Sequence, residues 1–172
     1  GEFDGALCGQ HEGVWILREL DADQCVVVRI TQGEDATWTG TWKQVRVVGL
    51  DDYMKNGVGL NWVVRRLVAA ENPTEIMKEA PNGLLSVTEP RWNGLYEYEY
   101  SVGDAFEFPG YDGKPHPTQT RMVRANTIEW KQTHDFGVQT ETRSIEGNQM
   151  TATYNLTRGA DSFQMIRHFQ KK

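Results

Sequence analysis

The feature that most constrains this chain is the period-two alternation that fills its second half. Met150, Ala152, Tyr154 and Leu156 recur at every second position, with Thr151, Thr153 and Asn155 between them. Phe163, Met165, Arg167 and Phe169 repeat the pattern. Successive side chains of a strand point to opposite faces, so each run has one apolar and one polar face. Tyr96, Tyr98 and Tyr100 alternate with Glu97 and Glu99 in the same way. Turn signals separate the runs: Asp112-Gly113, Glu146-Gly147-Asn148 and Arg158-Gly159 supply residues that tolerate positive φ. From about residue 84 onward the chain therefore reads as an antiparallel meander.

Helical signals are confined to residues 51–71. Asp51 or Asp52 can cap a helix and suits its dipole. Gly57 and Gly59 interrupt the pattern, Leu60 to Glu71 resumes it, and Asn72-Pro73 stops it. One helix-turn-helix after the first strand of a meander fits a barrel with a two-helix lid. Residues 1–37 stand apart as an extension of unknown role. Within them, residues 11–15 and 25–30 read as two short strands and 32–36 as a linker. Gly13 and Trp15 match the spacing of Gly40 and Trp42, either as a remnant repeat or by coincidence.

Composition excludes several functions. A length of 172 residues suits one domain with a sizeable core, and 38% hydrophobic with 24% charged residues is globular. The net charge of −6 argues against nucleic acid, which needs a basic face. No apolar run approaches the roughly 20 residues that span a bilayer. The chain begins at Gly1, so the lack of a visible signal peptide leaves the compartment open. Cys8 and Cys25 lack metal-site spacing; they are a disulfide if the protein is secreted and two free thiols otherwise. Asn155-Leu156-Thr157 is a glycosylation sequon, a triplet common by chance.

No catalytic constellation is visible, and neither metal nor cofactor is expected. His116 lies between Pro115 and Pro117, as in a surface loop, and His134-Asp135 resembles a hairpin turn. His168 should face solvent, and no histidine has an inward apolar neighbourhood. No nucleophile elbow or phosphate-cradling loop occurs.

Three motifs follow one another along residues 38–172. The first is Gly40-Thr41-Trp42-Lys43, then Leu50-Asp51-Asp52-Tyr53-Met54-Lys55, then Gly57-Val58-Gly59. The second is Gly103-Asp104-Ala105-Phe106; the third is Thr142-Arg143 with Arg167-His168-Phe169 near the end. In this order they resemble the intracellular lipid-binding protein family, the fatty-acid-binding and retinoid-binding proteins of the calycin superfamily. The spacing between Lys55 and Gly57 is one residue shorter than the familiar pattern. The resemblance implies a ten-stranded antiparallel β-barrel around a partly water-filled cavity, over residues 38–172, with two helices forming a portal. It implies a monomeric, non-enzymatic carrier of a long-chain fatty acid. A retinoid or other neutral lipid is the alternative, and a lipocalin-like enzyme acting on a small apolar substrate is a further one. The compartment implied is the cytoplasm, with secretion as the alternative. The lid is expected to touch membranes transiently.

In that family a ligand carboxylate is held by arginines with a tyrosine in an Arg-x-Tyr motif. The matching positions are Arg143, Arg167 and Phe169, the last lacking the tyrosine hydroxyl. Alternation independently puts Arg167 on an apolar face, where an unpaired charge costs several kcal/mol. It equally allows a strand-end arginine whose head reaches water. Arg143 shares a face with Ile145, and also with Glu141, which could neutralise it and favour an uncharged ligand such as an alcohol or aldehyde. Tyr154 is a further polar contact, while Gln164 faces outward. Portal candidates are Tyr53, Met54, Val58, Leu60 and Trp92, although Trp92 could equally pack a hairpin tip. Trp42 is expected on the barrel floor, and Trp62 between the second helix and the rim.

Overall fold

A computed structural model describes the backbone of residues 7–11, 14–18, 25–28, 38–79, 85–91, 94–110 and 113–172, and the side chains of 38–79, 85–89, 94–110 and 113–172. The chain divides into two compact units, residues 1–35 and 36–172. In the first, β1 (Leu7–His11), β2 (Val14–Arg18) and β3 (Cys25–Val28) form an antiparallel sheet in that order. Three strands replace the two expected, because the 11–15 run spans a hairpin: His11 ends β1 opposite Val14, which begins β2. The side chains of Cys8 and Cys25 lie outside the described residues, so the disulfide expectation does too.

The second unit opens with β4 (Gly40–Val48). A short helix α1 (Leu50–Asp52) runs on as a π-helical turn, Tyr53–Gly57, and α2 spans Trp62–Ala70. Gly49 makes the corner between β4 and α1 at φ 75, and a Cβ there would strike the Gln164 carbonyl oxygen. Only glycine fits both constraints. Asn61 caps α2 by accepting from Val64 N–H at 3.1 Å. Nine further strands follow. They are β5 (Thr74–Glu79), β6 (Leu85–Arg91), β7 (Gly94–Tyr100), β8 (Ala105–Pro109) and β9 (Pro115–Arg124). Then come β10 (Thr127–His134), β11 (Gly137–Glu146), β12 (Gln149–Arg158) and β13 (Asp161–Lys171). β5 precedes residue 84, where the sequence reading starts its meander; TEIMKE is short and carries no turn residue to announce it.

These ten strands form one antiparallel sheet in the order β7-β6-β5-β4-β13-β12-β11-β10-β9-β8. Its last strand pairs with its first, β13 with β4, so the sheet curls round on itself. Register shifts at His168/Phe169 and Thr127/Ile128 sharpen the bend. The two edges, β7 and β8, are consecutive in the chain and have no ladder between them. Rings close that seam instead. Tyr98 and Phe108 stand 4.6 Å apart edge to face, Tyr100 and Phe106 stack at 5.8 Å, and Trp130 meets all four. The architecture is an all-β half-barrel with two helices after its first strand.

The alternation seen in the sequence sets the core. Met150, Ala152, Tyr154 and Leu156 point inward from β12; Met165, Arg167 and Phe169 do so from β13. Each fully buried Leu, Met or Phe side chain contributes roughly 1.5–3 kcal/mol. Trp42 is fully buried, its ring N–H donating to the Trp38 carbonyl at 3.0 Å. Trp62 is not packed onto the rim: it is 61% exposed. Apolar residues occupy both sides of α2, and Val64 and Val68 take the inward side.

Candidate functional site

Cross-strand register arranges the inward side chains in rows. One row runs Ile128, Arg143, Ala152, Arg167 and Val47 across β10 to β4. Arg143 and Arg167 thus flank Ala152, whose small side chain leaves room for two guanidinium groups. The next row runs Thr120, Trp130, Glu141, Tyr154 and Met165. The third runs Thr118, Gln132, Gln139, Leu156 and Phe163, on the side nearer the helices.

Arg143 is 3% exposed and is held by two carboxylates. Its Nε donates to Glu141 Oε1 at 2.5 Å and its Nη1 to Glu75 Oε2 at 2.6 Å. Glu75 reaches it from β5, on the far wall, and is fully buried. Burial pushes the Glu75 carboxyl up to about 7, against the pull of Arg143 and with the repulsion of Glu89 and Glu141 added. The ion pair does not win there because the cost of burying the charge exceeds the attraction of Arg143. Burial works to lower the Arg143 pKa, but Glu141 and Glu75 outweigh it and hold the group well above its usual range. Burial also pushes the Tyr100 phenol up to about 12.

Arg167 is 4% exposed, with its guanidinium 6.0 Å from the Tyr154 ring centre. The water-reaching alternative is thereby excluded. Phe169 and Tyr154 are buried on β13 and β12. The structure places Arg143, Arg167, Tyr154 and Glu141 on adjacent inward rows. The sequence reading missed Glu75 and Glu89, both buried. The available signal was their pairing with Met77 and Val87 at two-residue spacing on one face.

The lid closes over these rows. Tyr53 and Met54 are fully buried, and Tyr53 Oη donates to Gln139 Oε1 at 2.6 Å. The Tyr53 ring meets Tyr154 edge-on at 6.4 Å. Val58 and Leu60 are half-buried against the core. Trp92 lies outside the described residues. Gln164 faces outward and donates to Asn155 Oδ1 at 2.8 Å.

Two histidine expectations are corrected. His116 is not in a loop: it is buried on β9, because Pro115 and Pro117 sit on strand positions whose neighbour turns inward. It packs 4.1 Å from the ring of His134, itself stacked 4.8 Å from Phe136, so both have inward neighbourhoods. Among the described residues no group of three metal-ligating side chains occurs.

A pocket opens among these rows, lined by Glu89, Tyr98, Trp130, Gln139, Glu141 and Arg143 with five neighbours. Its cavity volume is ≈ 20 Å³, space for about one water. Ligand pockets hold roughly 300–1,000 Å³. An acyl chain therefore needs the aromatic walls and the lid to move apart.

Solved structures give this architecture. Echinococcus granulosus fatty-acid-binding protein 1 superposes with a TM-score of 0.69 at 21% identity, over 78% of this chain and 96% of its own. A Schistosoma mansoni fatty acid binding protein, in complex with arachidonic acid, gives 0.69 at 17% over 81% and 99%. The Manduca sexta fatty-acid-binding protein gives 0.67 at 18% over 78% and 99%. No protein-family model matches the chain, and no curated protein matches it. The fold of this chain is that of the fatty-acid-binding proteins.

Proposed function

We propose that the barrel is a carrier, not an enzyme, that encloses one lipid-like ligand and exchanges it past the helical lid. The observation that carries this reading is an inward face of rings and apolar side chains built around a paired charge cluster, under a lid held by Tyr53 and Gln139. The likeness in fold to fatty-acid-binding proteins supports it. Interior ionisable groups engage one another, which suits holding a ligand more than transforming it. Affinity would come chiefly from burying the chain, about 0.8 kcal/mol per methylene. A long-chain fatty acid is the ligand the sequence resemblance implies; Arg167 is the second buried guanidinium beside Arg143, which Glu75 and Glu141 already engage.

The lid also supports transient membrane contact. Trp62, Val63 and Leu67 are 61%, 59% and 47% exposed on one side of α2. Arg66 lies over the Trp62 ring at 5.5 Å, adding a cation to that side. No described helix is long and apolar enough to cross a membrane.

The test is displacement of the neutral dye Nile red from the full chain by oleate and by methyl oleate. Saturable one-to-one displacement by either compound at micromolar concentration is expected. Failure of both would overturn the carrier reading. In the same assay with vesicles as acceptor, Trp62→Ala should slow transfer without altering equilibrium displacement. An unchanged transfer rate would remove the membrane contact from the reading.

A further inference from the structure

We infer that the enclosed ligand meets the Glu75–Arg143–Glu141 cluster with a polar end that donates hydrogen bonds and carries no negative charge. This rests on the carrier reading above and specifies the head group. Arg143 commits Nη1 to Glu75 and Nε to Glu141, each within hydrogen-bond distance and all three groups buried. A ligand carboxylate beside it would be the third carboxyl group competing for one guanidinium. Among the described residues the interior holds three carboxylates, Glu75, Glu89 and Glu141, against two guanidiniums, Arg143 and Arg167. An added anion would be costly among these groups, where the dielectric is low.

The remaining unused capacity is for donors. Glu75 Oε1 is fully buried and has no hydrogen-bond partner. When Glu75 is ionised this is a buried acceptor without a donor, which is costly, and a hydroxyl or ammonium group admitted beside it as the wall opens would relieve it. The pocket is lined by two carboxylates, Glu89 and Glu141, and by the amides of Gln132 and Gln139. Its walls include the rings of Tyr98, Trp130 and Tyr154, and the last two already engage Arg143 at 5.7 Å and Arg167 at 6.0 Å, so both guanidiniums are occupied by rings or carboxylates. Burial raises the Glu75 pKa, so the interior already resists the negative charge it contains.

The full chain loaded with Nile red is titrated with oleyl alcohol, oleylamine, methyl oleate and oleate, which share one chain length. The alcohol and the amine should displace the dye at concentrations at least tenfold below oleate. Oleate displacing as well as or better than both would overturn the head-group inference while leaving a carrier. No displacement by any of the four compounds would overturn the carrier reading, and the inference with it. Glu141→Gln frees Arg143 from one charge and removes one carboxylate acceptor, so it should narrow the gap between oleate and the alcohol severalfold by tightening oleate. Oleate binding that does not respond in a variant with wild-type unfolding would count against the cluster as the reader of the head group.

Discussion

Among single residues the inward glutamates set the electrostatics, and they were the hardest to read. In β7 the usual rule holds: Glu97 and Glu99 are exposed while Tyr98 and Tyr100 turn inward. Glu75, Glu89 and Glu141 break that rule, so alternation with apolar neighbours had to outweigh the ordinary preference of a carboxylate for water. Glu141 was legible because it shares a face with Arg143; for Glu75 the spacing from Met77 signals an inward position, but its partner, 68 residues away in sequence, could not be read locally. Glu75 also makes stability depend on pH. Its folded pKa is about 7 against 4.5 for the free group. Between these values the unfolded chain has lost the proton and the folded chain keeps it, so raising pH favours unfolding. The stabilisation is complete below about 4.5 and lost as pH rises through 7, with a slope of at most about 1.4 kcal/mol per pH unit. Glu75→Gln, which keeps an acceptor for Arg143, should flatten this part of the profile. Urea midpoints measured from pH 4 to 8 check it; parallel profiles for the two proteins would remove Glu75 as the titrating group.

At the scale of elements, the hairpin order and the helical lid were legible because turn glycines and the Asn72-Pro73 stop are local signals. The side on which α2 packs was not, because Val63, Val64, Leu67 and Val68 give both sides of the helix apolar residues. Tertiary contact decides: Val68 is buried and Val63 exposed. Nor could the sequence reveal that α1 ends in a wide π-helical turn, which aims both Tyr53 and Met54 into the core. That turn places the Tyr53 hydroxyl on Gln139 of the wall at 2.6 Å. A buried neutral hydrogen bond contributes about 1 kcal/mol net. Tyr53→Phe keeps the ring against Tyr154 and leaves Gln139 Oε1 without this donor. Amide exchange in residues 50–70 should accelerate about fivefold, with β10–β13 unaffected. Acceleration spread evenly over lid and barrel would mean that the bond stabilises the whole fold and does not latch the lid.

For the whole molecule, the question is how an open sheet behaves as a closed barrel. Ladders join β4 to β13 and every successive pair from β8 to β13, so most of the circumference is held by backbone hydrogen bonds. The β7–β8 seam has none and is bridged by rings from the two edge strands, with Trp130 of β10 behind them. Strand alternation put the three tyrosines on one face, but no local pattern says which ring faces which across a seam. The cavity of ≈ 20 Å³ makes the same rings the obstacle to a ligand, since Tyr98, Phe108 and Trp130 line it. The seam therefore serves two ends: it covers edge strands that would otherwise be open to other chains, and it is the part of the wall free to part without breaking a ladder. Phe108→Ala separates these roles. Loss of a buried Phe typically costs 3–5 kcal/mol, but Phe108 sits at an edge and is 9% exposed, so about 2–3 kcal/mol is expected. Exchange protection should fall first in β7 and β8, and Nile red should bind faster as the wall yields. Protection falling equally in β12 and β13, with no gain in binding rate, would make Phe108 an ordinary core residue and leave the helical lid as the ligand's sole entrance.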